Sequence, residues 1–176
     1  MTKSSVINRR AHAAYHEAGH AVAAWEQGIE IRSLAIPPDA DRGSDAQMRH
    51  EAELVGDFAW DTTAENRIKM ESLVFVTLAG PMAEKLAAHD NYDSVHAQND
   101  REHAIELAAF FMSPEVTEKY LVYIDAWLED FFAKPLQWAA VEELAGNLLA
   151  KQRRSNEEIT KDILIGYQKH AELMQG

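Results

Sequence analysis

Apolar residues recur every three to four positions over most of the chain, which is the spacing of amphipathic α-helices. A loose alternation of apolar and polar residues, typical of a strand, is found at 29–36 and ends at Pro37-Pro38. We therefore expect a mainly α protein, a single domain over 1–176, with a small two- or three-stranded sheet near residues 29–54. The second strand is predicted at 47–54, pairing back on the first.

Capping residues and helix breakers set the bounds of the predicted helices. Gly28 is placed to end the first helix, and the pair Gly80-Pro81 predicts a kink or a split in the second. A polar loop is expected at 89–98, and Lys151 to Arg154 are expected to be a solvated helix end. Helices are predicted at 6–28, 62–88, 99–112, from Pro114, at 135–152, and after the capping box Ser155 to Glu158.

Composition narrows the possible functions. The net charge of -12 argues against binding nucleic acid through its phosphates. The chain has no cysteine, so a bound metal would be held by nitrogen and oxygen atoms. The longest apolar run, Leu73 to Ala83, falls short of the roughly 20 residues that a membrane span needs. We expect a protein without a membrane span or signal peptide, located in the cytoplasm.

The segment that carries the clearest chemistry lies in the first predicted helix. His16 and His20 are four residues apart, so both imidazoles lie on one helix face and can reach a single zinc ion. Glu17 would lie beside the metal, where it can take a proton from a metal-bound water. Gly19 weakens a helix, so a close approach of another helix or of substrate is expected there. His12 lies on the same face and is expected to be a surface histidine.

A catalytic zinc site normally has three protein ligands and one open position. The motif supplies two histidines, and the sequence pattern alone does not choose the third ligand. The candidates are Glu84, His89, Asp90, Asp93, His96, Asp100, Glu102 and His103.

Four stretches of the chain resemble one known family. Residues 14–22 resemble the zinc-binding helix of the FtsH family, the membrane-anchored, ATP-dependent zinc metalloproteases. Residues 78–84 are similar to the glycine-rich Ala-Glu segment of the family's peptidase domain. Residues 97–104 resemble its Ser-Asn-Asp segment, and 148–159 its C-terminal helix pair. The matches occur in the family's order and cover most of the chain.

This resemblance implies a specific set of site residues. It implies that His16, His20 and Asp100 are the zinc ligands and that Glu17 is the catalytic base. Glu84 is then either an alternative third ligand or a residue that orients one histidine through its other ring nitrogen.

The chain also departs from the family. It contains no Gly-x-x-x-x-Gly-Lys-Ser/Thr motif, so we expect it not to hydrolyse ATP by itself. Pro81 stands where the family has a polar or basic residue. The stretch 37–50 keeps only a vague likeness to the family's substrate-binding edge, so the substrate groove is not predicted.

The function expected from these features is a zinc metalloendopeptidase that acts on a peptide or an unfolded protein. A separate ATPase and a homo-oligomer are the partners to test. One alternative is a catalytically silent zinc-binding protein with an interaction or regulatory role. Another is a helical binding module in which a zinc ion with four protein ligands is structural.

Overall fold

The structure is a computed structural model that describes residues 3–36, 63–88 and 95–174. Within these ranges the chain forms six helices and two short strands. In chain order they are α1 (Lys3–Glu26), β1 (Ser33–Ala35), α2 (Ala64–Ala88), α3 (Val95–Ala109), α4 (Pro114–Ala133), α5 (Pro135–Ala150), β2 (Arg153–Ser155) and α6 (Asn156–Leu173). The prediction of a mainly α fold with a small sheet is confirmed.

The possible split of the second helix and the predicted start of the third are wrong. Helix α2 continues through Pro81 and is not split there, because its residues from Leu73 onwards are mostly buried and their packing holds the helix. Helix α3 begins at Val95 rather than at Asn99, so residues 95–98 are not part of a loop. Ala97 and Gln98 are good helix formers, which polarity alone does not reveal.

The partner of β1 differs from the predicted one. β1 pairs antiparallel with β2, and Ser33 lies opposite Ser155. Residues 153–155 were expected to be a helix end or a cap, but the described sheet takes its second strand from them. The predicted strand at 47–54 lies outside the described residues. β2 leads directly into α6 through the predicted capping box, in which Ser155 and Glu158 each accept a hydrogen bond from the other's backbone N–H.

Helix α1 lies at the centre of the fold, with α2 on one side and α5 on another. It ends at Glu26, two residues before Gly28, whose φ of 69° is the left-handed conformation that the predicted stop requires. The Ile29 N–H donates to the Ala24 carbonyl at 2.8 Å and closes this helix end. The chain then enters β1, so α1 is fixed at its C-terminal end by the sheet.

Among the helices that the structure describes, none combines the length and the apolar character that crossing a bilayer requires.

Candidate metal centre

Helices α1 and α2 approach each other unusually closely beside the two histidines. A Cβ atom at Gly19 would lie 2.5 Å from the Cβ of Ala83 and 2.6 Å from the carbonyl oxygen of Ala79. The helix approach that Gly19 predicted is therefore present. On the facing helix, a Cβ atom at Gly80 would overlap the imidazole ring of His20. Two glycines thus bring the backbone and side chains of α2 within reach of the histidine rings.

Each histidine is held by α2 through its Nδ1 atom. His20 Nδ1 lies 2.7 Å from the carbonyl oxygen of Val76. A carbonyl oxygen only accepts hydrogen bonds, so Nδ1 carries the proton and donates it. His16 Nδ1 lies 2.9 Å from Oε2 of Glu84, a carboxylate with the same accepting role. These contacts fix both rings so that Nε2 is the atom available on the opposite side.

The two Nε2 atoms face Asp100 of α3. The distance from Asp100 Oδ2 to Nε2 is 2.9 Å for His16 and 3.7 Å for His20. One donor atom from each of the three residues lies within 4.8 Å of the others, and all three residues are buried. In a tetrahedral zinc site with bonds of about 2.0–2.2 Å, neighbouring donor atoms are roughly 3.4 Å apart. The two measured distances fall on either side of that value, so this group could hold a metal ion.

The predicted helix at 99–112 would place Asp100 at a helix start, but the structure does not. Asp100 is in the second turn of α3, because that helix begins at Val95. It is therefore outside the first turn, to which the stabilisation of a negative charge by a helix N-terminus is confined. It is held instead by the two histidines that it faces.

The electrostatics of the group favour a cation. Burial lowers the pKa of His16, but hydrogen bonds with Asp100 and Glu84 and the nearby charges of Glu17 and Asp100 raise it to about 10. Burial raises the pKa of Asp100, but hydrogen bonds with His16 and His20 reverse this and hold it well below its usual range. In the absence of a metal, these contacts favour the form of His16 that carries a proton on both Nδ1 and Nε2. A metal ion would compete with the proton on Nε2 of His16, the nitrogen that faces Asp100.

Glu84 is close to His16 but on the other side of its ring. Since its Oε2 contacts Nδ1, Glu84 is separated from the Nε2 side where Asp100 lies. This geometry corresponds to the second of the two roles considered for Glu84, that of orienting a histidine. Glu102 and His103 are exposed on α3 and do not join the group. The remaining candidates lie outside what the structure describes: His89, Asp90, Asp93 and the side chain of His96.

Glu17 follows His16 on α1 and is 2% exposed. It is not one of the three grouped donors, but its negative charge is near enough to raise the pKa of His16. The structure therefore places a buried carboxylate next to the donor group.

His12 is not the surface histidine that was expected. It is 8% exposed, and its Nδ1 lies 3.4 Å from Oε1 of Glu84. The helical spacing from His16 was the signal that could have found it. What the sequence did not show is that α2 covers this part of α1.

Fold and site together define a mainly helical protein with a buried group of two histidines and one aspartate that could hold a metal ion. No protein-family model matches the chain, and no curated protein matches it.

Proposed function

We propose that this chain is a zinc-dependent metallopeptidase of the FtsH peptidase type. The observation that carries the proposal is the convergence of His16, His20 and Asp100 around one point, with Glu17 buried beside them. The histidines come from one helix turn, whereas Asp100 comes from a helix far along the chain. A metal site requires donor atoms from separate elements to meet at one point. The packing of helices does not by itself require this.

Two imidazole nitrogens and one carboxylate oxygen form a donor set that suits zinc. When bound, zinc supplies Lewis-acid chemistry, which polarises a peptide carbonyl and lowers the pKa of a water molecule to about 7. The chain's contribution is to hold the rings, through Val76 and Glu84, with Nε2 turned inward. Three such donors are grouped in the described part of the chain, which favours a catalytic site with an open position over a four-ligand structural site.

Glu17 is the proposed general base. It takes a proton from the attacking water and then delivers it to the leaving nitrogen of the cleaved peptide bond. Its burial supports this role, since a carboxylate in a low-dielectric site interacts strongly with the developing charges. The substrate class is a peptide or an unfolded protein.

The test compares Glu17→Gln with wild type in a casein-cleavage assay, with and without a chelator, together with elemental analysis for zinc. We expect wild-type activity to be lost with the chelator. Glu17→Gln should bind zinc normally but cleave at least about 100-fold more slowly, the usual contribution of a general base. Glu118→Gln, an exposed change on α4, is the matched control and should behave as wild type.

Other outcomes are equally decisive. Wild-type cleavage rates in Glu17→Gln would overturn the mechanism. A protein that binds zinc but cleaves neither casein nor short peptides would be the silent zinc-binding protein. Adding a separate ATPase and measuring the molecular mass in solution would test the expected partners, and cell fractionation would test the expected cytoplasmic location.

A further inference from the structure

The carboxylate of Glu84 lies between two histidine rings of α1. Its Oε2 is 2.9 Å from Nδ1 of His16, and its Oε1 is 3.4 Å from Nδ1 of His12. The two histidines are one helix turn apart, so a single carboxylate spans both with one oxygen each. Exposure is 8% for His12, 0% for His16 and 1% for Glu84, so the three residues form a buried chain of polar contacts.

The second nitrogen of His12 indicates where its proton lies. Nε2 is buried and has no hydrogen-bond partner among the described residues. A neutral imidazole has one N–H, and burying that N–H with no acceptor nearby costs more than placing it 3.4 Å from a carboxylate oxygen. The proton of His12 therefore belongs on Nδ1, where it faces Glu84.

His12 is not placed to be a metal ligand itself. Its Nδ1 lies 3.4 Å from Oε1 of Glu84, and Glu84 lies on the Nδ1 side of His16, whereas Asp100 lies on the Nε2 side. His12 is also not part of the donor group found within the described residues. Its contact is with Glu84, the carboxylate that orients His16, and not with the donor group itself.

We propose that His12 is a positioning residue for the metal centre. It fixes the carboxylate of Glu84, and Glu84 in turn fixes the ring of His16 with Nε2 directed at Asp100. Contacts on both oxygens restrict the rotation of a carboxylate about its side-chain bonds more than a contact on one oxygen does. This inference rests on the proposed function, because it assumes that His16 binds the metal.

The first experiment measures zinc affinity by competition with a chromophoric chelator. His12→Leu introduces an apolar side chain of similar bulk that has no N–H. We expect about tenfold weaker zinc binding in this variant. His12→Asn places an amide N–H near the position of Nδ1 and should restore most of the affinity. His103→Leu changes an exposed histidine that also lies near a glutamate, and it should leave the affinity unchanged.

The second experiment separates positioning from general packing. In a Glu84→Ala background, His12→Leu should cause no further loss of zinc affinity, because the residue through which it acts is gone. An equal loss in both backgrounds, or no rescue by asparagine, would overturn the proposal. Circular dichroism and Tm establish that each variant folds.

A third measurement needs no variant. Nitrogen-15 NMR of the histidine rings in the wild-type protein should show the proton of His12 on Nδ1, and a proton on Nε2 would overturn the proposal.

Failure of the proposed function and failure of the role of His12 would give different results. A wild-type protein that binds no zinc would refute the proposed function, whereas tight zinc binding that His12→Leu leaves unchanged would refute only the role of His12.

Discussion

The imidazole ring of His20 occupies the space that a side chain at Gly80 would need. In Gly80→Ala the added methyl group would overlap the ring, so the ring must turn away from the Val76 carbonyl that holds it. We expect zinc affinity to fall about tenfold or more, the usual effect of losing the group that orients a ligand. Chelator competition measures it. Unchanged affinity would show that His20 is not a ligand in this orientation.

Gly19→Ala and Gly146→Ala form a matched pair that tests the close approach of α1 and α2. Gly146 is in α5, and a Cβ atom there would meet no other described part of the chain within 4 Å, so alanine should stabilise the protein by about 0.5–1 kcal/mol. At Gly19 the same change should cost about 1–3 kcal/mol, because the new methyl group meets α2. Urea denaturation measures both, and equal effects at the two positions would contradict the packing described.

Asp100→Asn distinguishes between the two candidates for the third ligand. Removing the charge of Asp100 should abolish stoichiometric zinc binding in elemental analysis. Glu84→Gln should instead weaken binding by about 10- to 100-fold, as expected for a residue that orients a ligand. The control is Glu102→Gln, an exposed change on the same helix as Asp100. If Glu84→Gln removed the metal and Asp100→Asn retained it, the assignment would be reversed.

Glu158 should make stability depend on pH in the acidic range. The hydrogen bond from Lys151, followed by that from the Ser155 backbone, lowers the pKa of Glu158 to about 2. A carboxyl group whose pKa is lower in the folded state than in the unfolded state stabilises the fold at pH values above its unfolded pKa of about 4.3. This contribution is lost as the pH falls towards 2.

The variant Glu158→Gln can keep the capping geometry but not the charge. Its urea midpoint should be below that of wild type near neutral pH, and the difference should shrink below about pH 4. Glu157→Gln, in the same helix turn, should show a smaller effect. A difference that stayed constant with pH would mean that the charge of Glu158 is not responsible.

Local signals in the sequence predicted the parts of the protein that depend on neighbouring residues. The four-residue spacing placed His16 and His20 on one face. Gly28 gave the end of α1, and Ser155 gave the start of α6, since each acts within one helix turn.

Features that depend on distant residues were harder to predict. The burial of His12 depends on α2, and the pairing of β1 depends on residues 153–155, more than a hundred positions away. From the sequence pattern Asp100 is one of eight candidates for the third ligand, and only the family resemblance distinguishes it, because the spacing of residues does not encode which acid packs against a helix. Its position within α3 was misjudged for the same reason.

Both contacts that orient the donor histidines join distant parts of the chain. The His16–Glu84 contact spans 68 residues and the His20–Val76 contact spans 56. Large loops must close before either contact forms, and contacts of this kind form slowly. A growing chain that has completed α1 already has both histidines, but their rings have no fixed direction until α2 has packed against them. The order of synthesis therefore delays the metal-binding geometry until the helices have assembled, so a partly folded chain does not yet have it.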